Sequence, residues 1–367
     1  MEIKKELNNK NSRLLNLDLL KVVAIVFMVL CHAVDCLATH KADYENEIGF
    51  IVGDTIFGSY MAVAHAFMFS MGVGIIYSRR QEPKYLIKRG IFILILAYIL
   101  NFFRYGIYAL GDGIIEGEFY AETDDAFFVQ DILHFAGLAL MFTGLLKLLK
   151  LKSIYILLIA IILSMIGGPL AFVINYNKVV NYFVGFFLYT EKEVAYFSFF
   201  NWYIFVAFGL AFGEILLKIK NKDKFYKYLL IISSLICIIY VVLTIIFGFF
   251  FITKNNWYFA TSILESIGLL SIDFTLLSLF YFVLKNKDDT KKYWFVKISK
   301  NLTIIYFIHW CIFGFIDSIF GYLLEIQFPY WSIFTIGVVI LFVSILLSDI
   351  YVRIRNKRKI KKMGMMK

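Results

Sequence analysis

The first apolar segment of the chain carries side chains that hydrocarbon excludes unless they have work to do. Asp18, Lys21, His32 and Asp35 all lie within a run that is otherwise built from Leu, Val, Ile, Ala, Met and Phe. On a helix turning about 100° per residue, Lys21 and His32 stand about 20° apart, with Asp18, Met28 and Asp35 near the same face. The rise from Lys21 to His32 is about 16 Å, so the stripe reaches from the membrane edge well into the bilayer. A charge at the bilayer centre costs at least about 2.5 kcal/mol on insertion scales, which makes such residues functional candidates. A neutral imidazole can take a proton from a hydroxyl or an amine, and His32 is the candidate for that role. The plainer alternative keeps Asp18 and Lys21 in the interface at the helix start and makes His32 a hydrogen-bonded packing residue.

Other apolar segments hold further candidates: His65, Asn101 with Arg104, Asp131 with His134, Glu265 with Asp273, and His309 with Asp317. Pairs three residues apart share a helix face. Asp131 either orients His134 or joins it in capping the end of a helix, and the spacing fits both. Trp202 and Tyr203, at the entrance to a segment, are expected as interfacial anchors. Gly72 and Gly74 are expected to let helices pack closely. There is no Gly-rich phosphate loop, paired metal-ligand motif or nucleophile elbow. Cys31, Cys36, Cys237 and Cys311 show no zinc or disulfide spacing, so no metal is expected. Any chemistry must be built from the intramembrane polar set.

The elements that position these residues are helices. Of 367 residues, 61% are hydrophobic, 19% aromatic and only 17% charged, and the mean hydropathy is +0.77. Soluble globular proteins hold roughly 45 to 50% apolar residues, so a soluble core and a disordered chain are both excluded. The expected class is all-α, a polytopic integral membrane protein with about ten transmembrane helices. The spans read 17–38, 55–78, 89–110, 128–149, 153–175, 199–218, 228–251, 258–284, 301–324 and 330–351. The aromatic stretch from Asn177 to Phe197 is broken by Lys178, Glu191, Lys192 and Glu193, and reads as interfacial.

Loop charges alternate. Lys4, Lys5, Lys10 and Arg13, then Arg79, Arg80, Lys84, Lys88 and Arg89, and the tail from Arg353 to Lys367 fall on one side, while acids such as Asp43, Glu45, Glu116 and Asp124 fall on the other. Positive charge marks the cytoplasm, so both termini are expected there. That placement accounts for the net charge of +10 without nucleic acid. A cleaved signal peptide is not expected, because Asp18, Lys21, His32 and Asp35 interrupt the first apolar run. The organisation reads as a cytoplasmic segment 1–16, one membrane domain 17–351 and a basic tail 352–367, integral to a bacterial plasma membrane.

The run RLLNLDLLKVVAIVFMVLCH, from Arg13 to His32, resembles the opening of the transmembrane acyltransferase superfamily, comprising the acyltransferase-3 and heparan-α-glucosaminide N-acetyltransferase-like proteins. A Leu-Asp pair, a basic residue, ten further residues and a histidine correspond here to Leu17, Asp18, Lys21 and His32. The family commonly has arginine where this chain has Lys21, and a point charge there replaces a bidentate fork. HAFMFSMGVGIIYSRR (His65 to Arg80), KRGIFILILAYILNFFR (Lys88 to Arg104), DILHFAGLA (Asp131 to Ala139) and SKNLTIIYFIHW (Ser299 to Trp310) are similar in kind and in order. A proline common before the second-span motif is replaced by Ala66.

The resemblance implies transfer of an acyl group, commonly acetyl, from cytoplasmic acyl-CoA to a hydroxyl or amine of a cell-surface glycan or related acceptor. It makes His32 and Asp18 the catalytic candidates. Lys21, Arg13, Arg79, Arg80 and Arg89 become candidates for the CoA phosphates, and Arg104, Asp131, His134, Tyr306 and His309 candidates for the acceptor or for supporting roles. Acyl-CoA enters as co-substrate, with no resident cofactor; the expected partners are the bilayer, the acyl donor and the acceptor. A thioester is already activated, so the protein must position it, deprotonate the acceptor and stabilise the oxyanion. Transient acylation of His32 is an alternative route. The competing class is a transporter or flippase for a sugar or lipid-linked substrate using the same stripe, although the two halves show no sequence echo of an inverted repeat.

Overall fold

A computed structural model describes residues 13–38, 64–106, 127–170, 178–189, 195–247, 258–288, 293–324 and 328–364. The helices are α1 (Leu15–Leu37), α2 (Ala64–Tyr77), α3 (Pro83–Asn101), α4 (Ile132–Leu148), α5 (Ser153–Leu170), α6 (Lys178–Gly185), α7 (Phe199–Lys218), α8 (Lys222–Phe247), α9 (Ile263–Leu284), α10 (Trp294–Lys300), α11 (Leu302–Ile316) and α12 (Tyr330–Gly364). Wide π-helical turns continue α3 over Phe102–Gly106 and α11 over Asp317–Leu323. Among the described residues there is no strand; Gln130 and Ala195 form an isolated parallel bridge.

Eight of these helices are long and apolar enough to cross a membrane, while α2 and α4 are shorter apolar helices. The protein is an all-α polytopic membrane protein. At 17 residues, α4 is about 25 Å long, just under the roughly 30 Å hydrocarbon thickness. The expected second span begins at residue 55, and its part before Ala64 lies outside the described residues, as do the acidic loops that set the expected orientation. The eight residues of α6 are too few to span. No break occurs at the expected tail boundary, since α12 runs through it to Gly364.

The chain divides into two compact units. One takes Met1–Leu20, Ala64–Asn101 and Tyr120–Lys291, and so holds the first turns of α1 together with α2 to α9. At its centre α7 is buried on nearly every side, as expected of a helix that is apolar all round. α2 reaches it through paired glycines: a Cβ on Gly72 would stand 2.8 Å from the Leu210 amide nitrogen, whereas Gly74 faces open space. Gly72 is therefore the packing glycine and Gly74 is not. Trp202 and Tyr203, expected as interfacial anchors, are instead fully buried. The Trp202 indole donates to the Phe259 carbonyl at 2.9 Å, and the Tyr203 hydroxyl meets Thr143 Oγ1 at 2.9 Å. Each polar tip has an internal partner, which is why the rings can leave the interface. By contrast α8 presents Ile231, Leu235, Ile238 and Ile245 outward, an apolar face suited to lipid.

The second unit takes Lys21–Val63, Phe102–Phe119 and Lys292–Lys367. Its described part holds α1 from Lys21 onward, the π-turn after α3, and α10 to α12. A Cβ on Gly337 of α12 would meet Ala33 Cβ at 2.8 Å, so α12 lies tightly on α1 there. Lys297 and Arg353 both pair with Asp349 at 2.7 Å, tying α10 to the middle of α12.

Candidate functional site

The second unit gathers His32, Arg104, Tyr306, His309 and Trp310 into one cluster. The His32 ring centroid lies 4.1 Å from that of Trp310 and 5.6 Å from that of His309, to which it is nearly parallel. Tyr306 packs edge-on against His309 at 5.2 Å. His309 and Trp310 are consecutive on α11, and both rings lie beside that of His32.

His309 is fully buried and its Nδ1 lies 3.1 Å from the Ile305 carbonyl. A carbonyl can only accept, so Nδ1 carries the proton, and the neutral ring keeps its lone pair on Nε2. That Nε2 has no hydrogen-bond partner among the described residues; the same is true of His32 Nδ1 and Trp310 Nε1. Buried polar atoms are nearly always satisfied, at a cost of about 1 to 3 kcal/mol when they are not. Three such atoms lie on three neighbouring rings, which makes this cluster the candidate site.

Arg104 sits on the π-turn that follows α3. Such turns insert an extra residue and recur at functional sites, because they re-aim a side chain. Its guanidinium carbon lies 3.2 Å from the Trp310 ring centroid and 4.7 Å from that of Tyr105. Gly314 permits the approach: a Cβ there would stand 3.0 Å from both the Arg104 Cα and its carbonyl oxygen. The expected Asn101–Arg104 face is broken by the π-turn. Asn101 belongs to the first unit and donates to the Phe127 and Val129 carbonyls at 2.8 and 2.7 Å.

The remaining sequence candidates fall elsewhere. Asp18 is buried in the first unit and pairs with Arg13 through both Nε and Nη2, the latter at 3.0 Å from Oδ1. Arg13 thus spends its fork on Asp18, and α1 is continuous from Asp18 to His32. Lys21 is half-buried on α1, while Arg79, Arg80 and Arg89 are exposed in the first unit, with Arg80 leaning on Tyr85. Asp131 and His134 form a capping box at the start of α4: Asp131 Oδ1 accepts from the Ile132 amide at 2.6 Å, and His134 Nδ1 accepts from the Asp131 amide at 3.1 Å. Of the two readings of this pair, capping is the one adopted.

Two features were missed. Trp310 follows His309 directly and forms a wall of the cluster, yet a lone tryptophan in an apolar run gives no signal of that role. His65 and Asp273 stood as separate candidates; the fold brings His65 Nδ1 to 2.9 Å from Asp273 Oδ2, both deeply buried in the first unit. Their separation of 208 residues hides the pair.

The family model for the acyltransferase-3 proteins, an acyltransferase domain, matches residues 14–353, a stretch that contains every residue of the ring cluster. The chain belongs to the acyltransferase-3 family. It is accordingly a membrane acyltransferase. No curated protein matches it by sequence. The acyltransferase carries its two candidate imidazoles on α1 and α11, near opposite ends of the matched region.

Proposed function

We propose that the acyltransferase moves an acetyl group from cytoplasmic acyl-CoA to a hydroxyl or amine of a cell-surface glycan, with both termini in the cytoplasm, ten spans in all and a bacterial plasma membrane as its site. Unsatisfied buried atoms on each of the neighbouring His32, His309 and Trp310 rings carry the reading. In this account His32 Nδ1 takes the proton of the acceptor as its oxygen or nitrogen attacks the thioester carbonyl. The carbon–sulfur bond then breaks, and the proton passes to the CoA thiolate, leaving acylated acceptor and free thiol. A general base of this kind is typically worth ~10² to 10⁴ in rate.

His309, with its lone pair held on Nε2, accepts a hydrogen bond from the acceptor and so orients it. Arg104, steadied on Trp310, is the cation for the developing oxyanion. Lys21, Arg79, Arg80 and Arg89 are each a candidate cation for a CoA phosphate, and Asp18 holds Arg13 at the start of α1. Direct transfer is preferred to acylation of His32, because a second imidazole beside the first fits an acceptor bound alongside the base.

The test supplies radiolabelled acetyl-CoA to the cytoplasmic face of sealed vesicles containing the full chain. Label recovered in glycan on the opposite face is expected. Label that stays in the donor, together with proton-coupled solute uptake in liposomes lacking any acyl donor, would overturn the reading in favour of transport.

A further inference from the structure

We propose that Cys31, His32 and Asp35 form a binding site for a soft divalent transition-metal ion, of which zinc is the representative, and that its occupancy silences acyl transfer. The silencing rests on the proposed role of His32; the binding does not.

A thiolate sulfur, an imidazole nitrogen and a carboxylate oxygen are the ligand types zinc prefers. All three come from consecutive turns of α1, and their donor atoms lie within 4.8 Å of one another. With metal–ligand bonds of about 2.0 to 2.3 Å, tetrahedral donors stand roughly 3.5 Å apart. Two of the three separations are already close to that: Cys31 Sγ lies 3.7 Å from Asp35 Oδ2, and His32 Nδ1 lies 3.7 Å from the same oxygen. The third separation, Cys31 Sγ to His32 Nδ1, is within 4.8 Å.

A second observation points to a ligand. His32 Nδ1 is the buried nitrogen without a hydrogen-bond partner, and it belongs to the edge of the ring that approaches Asp35. The same ring packs against Trp310 and His309. The Asp35 side chain is 45% exposed, which gives the ion a way in. Neither the cysteine count nor its spacing suggested a site, because the three ligands follow a helical pattern of adjacent and one-turn neighbours rather than a finger motif.

On binding, the thiol proton of Cys31 leaves to water, bonds form from the metal to sulfur, nitrogen and oxygen, and nothing is oxidised or reduced. A neutral imidazole has one lone pair. Once the metal holds it on Nδ1, Nε2 carries the proton, and the ring can no longer accept one from the acyl acceptor. Three protein ligands leave a fourth position open to water.

The full-length protein in lipid nanodiscs, freed of chelator, is titrated with cobalt(II) chloride and followed by absorption. A thiolate-to-cobalt charge-transfer band saturating at one ion per chain, bleached by added zinc chloride, is the expected result. Cys31→Ser should lose the band, Asp35→Asn should weaken binding, and Cys237→Ser, in the other unit, should leave the band intact. Absence of the band in the native protein, or its persistence in Cys31→Ser, overturns the site. In the acetyl-transfer assay, zinc should lower the native rate by about 10²-fold, the worth of a general base, while sparing Cys31→Ser. Transfer that continues with the ion bound overturns the silencing alone. A protein that binds cobalt through Cys31 but transfers no acyl group under any condition overturns the functional reading and leaves the site standing.

Discussion

Arg104 places its charge against a ring, and the kind of cation matters there. A guanidinium is flat and stacks on Trp310, whereas an ammonium cannot, so Arg104→Lys keeps the charge but loses the geometry. A desolvated contact of this type is worth about 2 kcal/mol, so transfer by Arg104→Lys should fall roughly 30-fold with normal expression. An unchanged rate would remove stacking from the account. Lys21 behaves oppositely: it is expected to act as a point charge for phosphate, so Lys21→Arg should retain activity and Lys21→Ala should raise the apparent KM for acetyl-CoA. A KM unaltered in the alanine variant would reduce Lys21 to a marker of orientation. At this scale the sequence was informative wherever charge met hydrocarbon. His32 and His309 stood out on insertion cost alone, because an ionisable group in an apolar run needs an explanation. Trp310 did not, since nothing in its composition separates a ring that walls a site from one that fills a core.

Among the elements, the π-turn after α3 is the device that aims Arg104, and Gly314 of α11 is its seat. Gly314→Ala would put a methyl group 3.0 Å from the Arg104 backbone and should displace the turn, lowering transfer while leaving thermal stability nearly unchanged. Gly74→Ala, facing open space, is the matching control and should alter neither quantity. A Gly314→Ala enzyme of full activity would show that the turn need not be held. The π-turn was not legible beforehand, because helical periodicity assumes 3.6 residues per turn and paired Asn101 with Arg104 on that basis. Helix existence was legible: each expected span holds a helix among its described residues, since long apolar runs leave the backbone no other way to satisfy its polar groups. The ends were less so. α8 starts at Lys222 rather than at 228, because the lysine stems there extend along the helix while their charges stay in water.

For the molecule as a whole, long-range pairing is what sequence cannot supply. The His65–Asp273 contact joins α2 to α9 in the first unit and is buried on both sides. Removing one partner from such a pair typically costs about 3 to 5 kcal/mol, so Asp273→Asn should lower the thermal midpoint in detergent markedly. The properly folded fraction should still transfer acetyl, which separates a fold-holding pair from the ring cluster. Loss of turnover without loss of stability would place His65 in the chemistry instead. Orientation belongs to the same scale. A reporter fused beyond Lys367 should be active in the cytoplasm, as the lysine and arginine asymmetry requires, and export of that reporter would reverse the donor and acceptor faces.

In the proposed reaction His32 Nδ1 takes the acceptor's proton. Single-turnover transfer from labelled acetyl-CoA, measured on His32→Ala protein matched to the wild type for folded amount in the same membranes, tests it most directly. The expected rate is lower by about 10² or more, with donor binding preserved; transfer by His32→Ala at the wild-type rate would remove His32 from the chemistry.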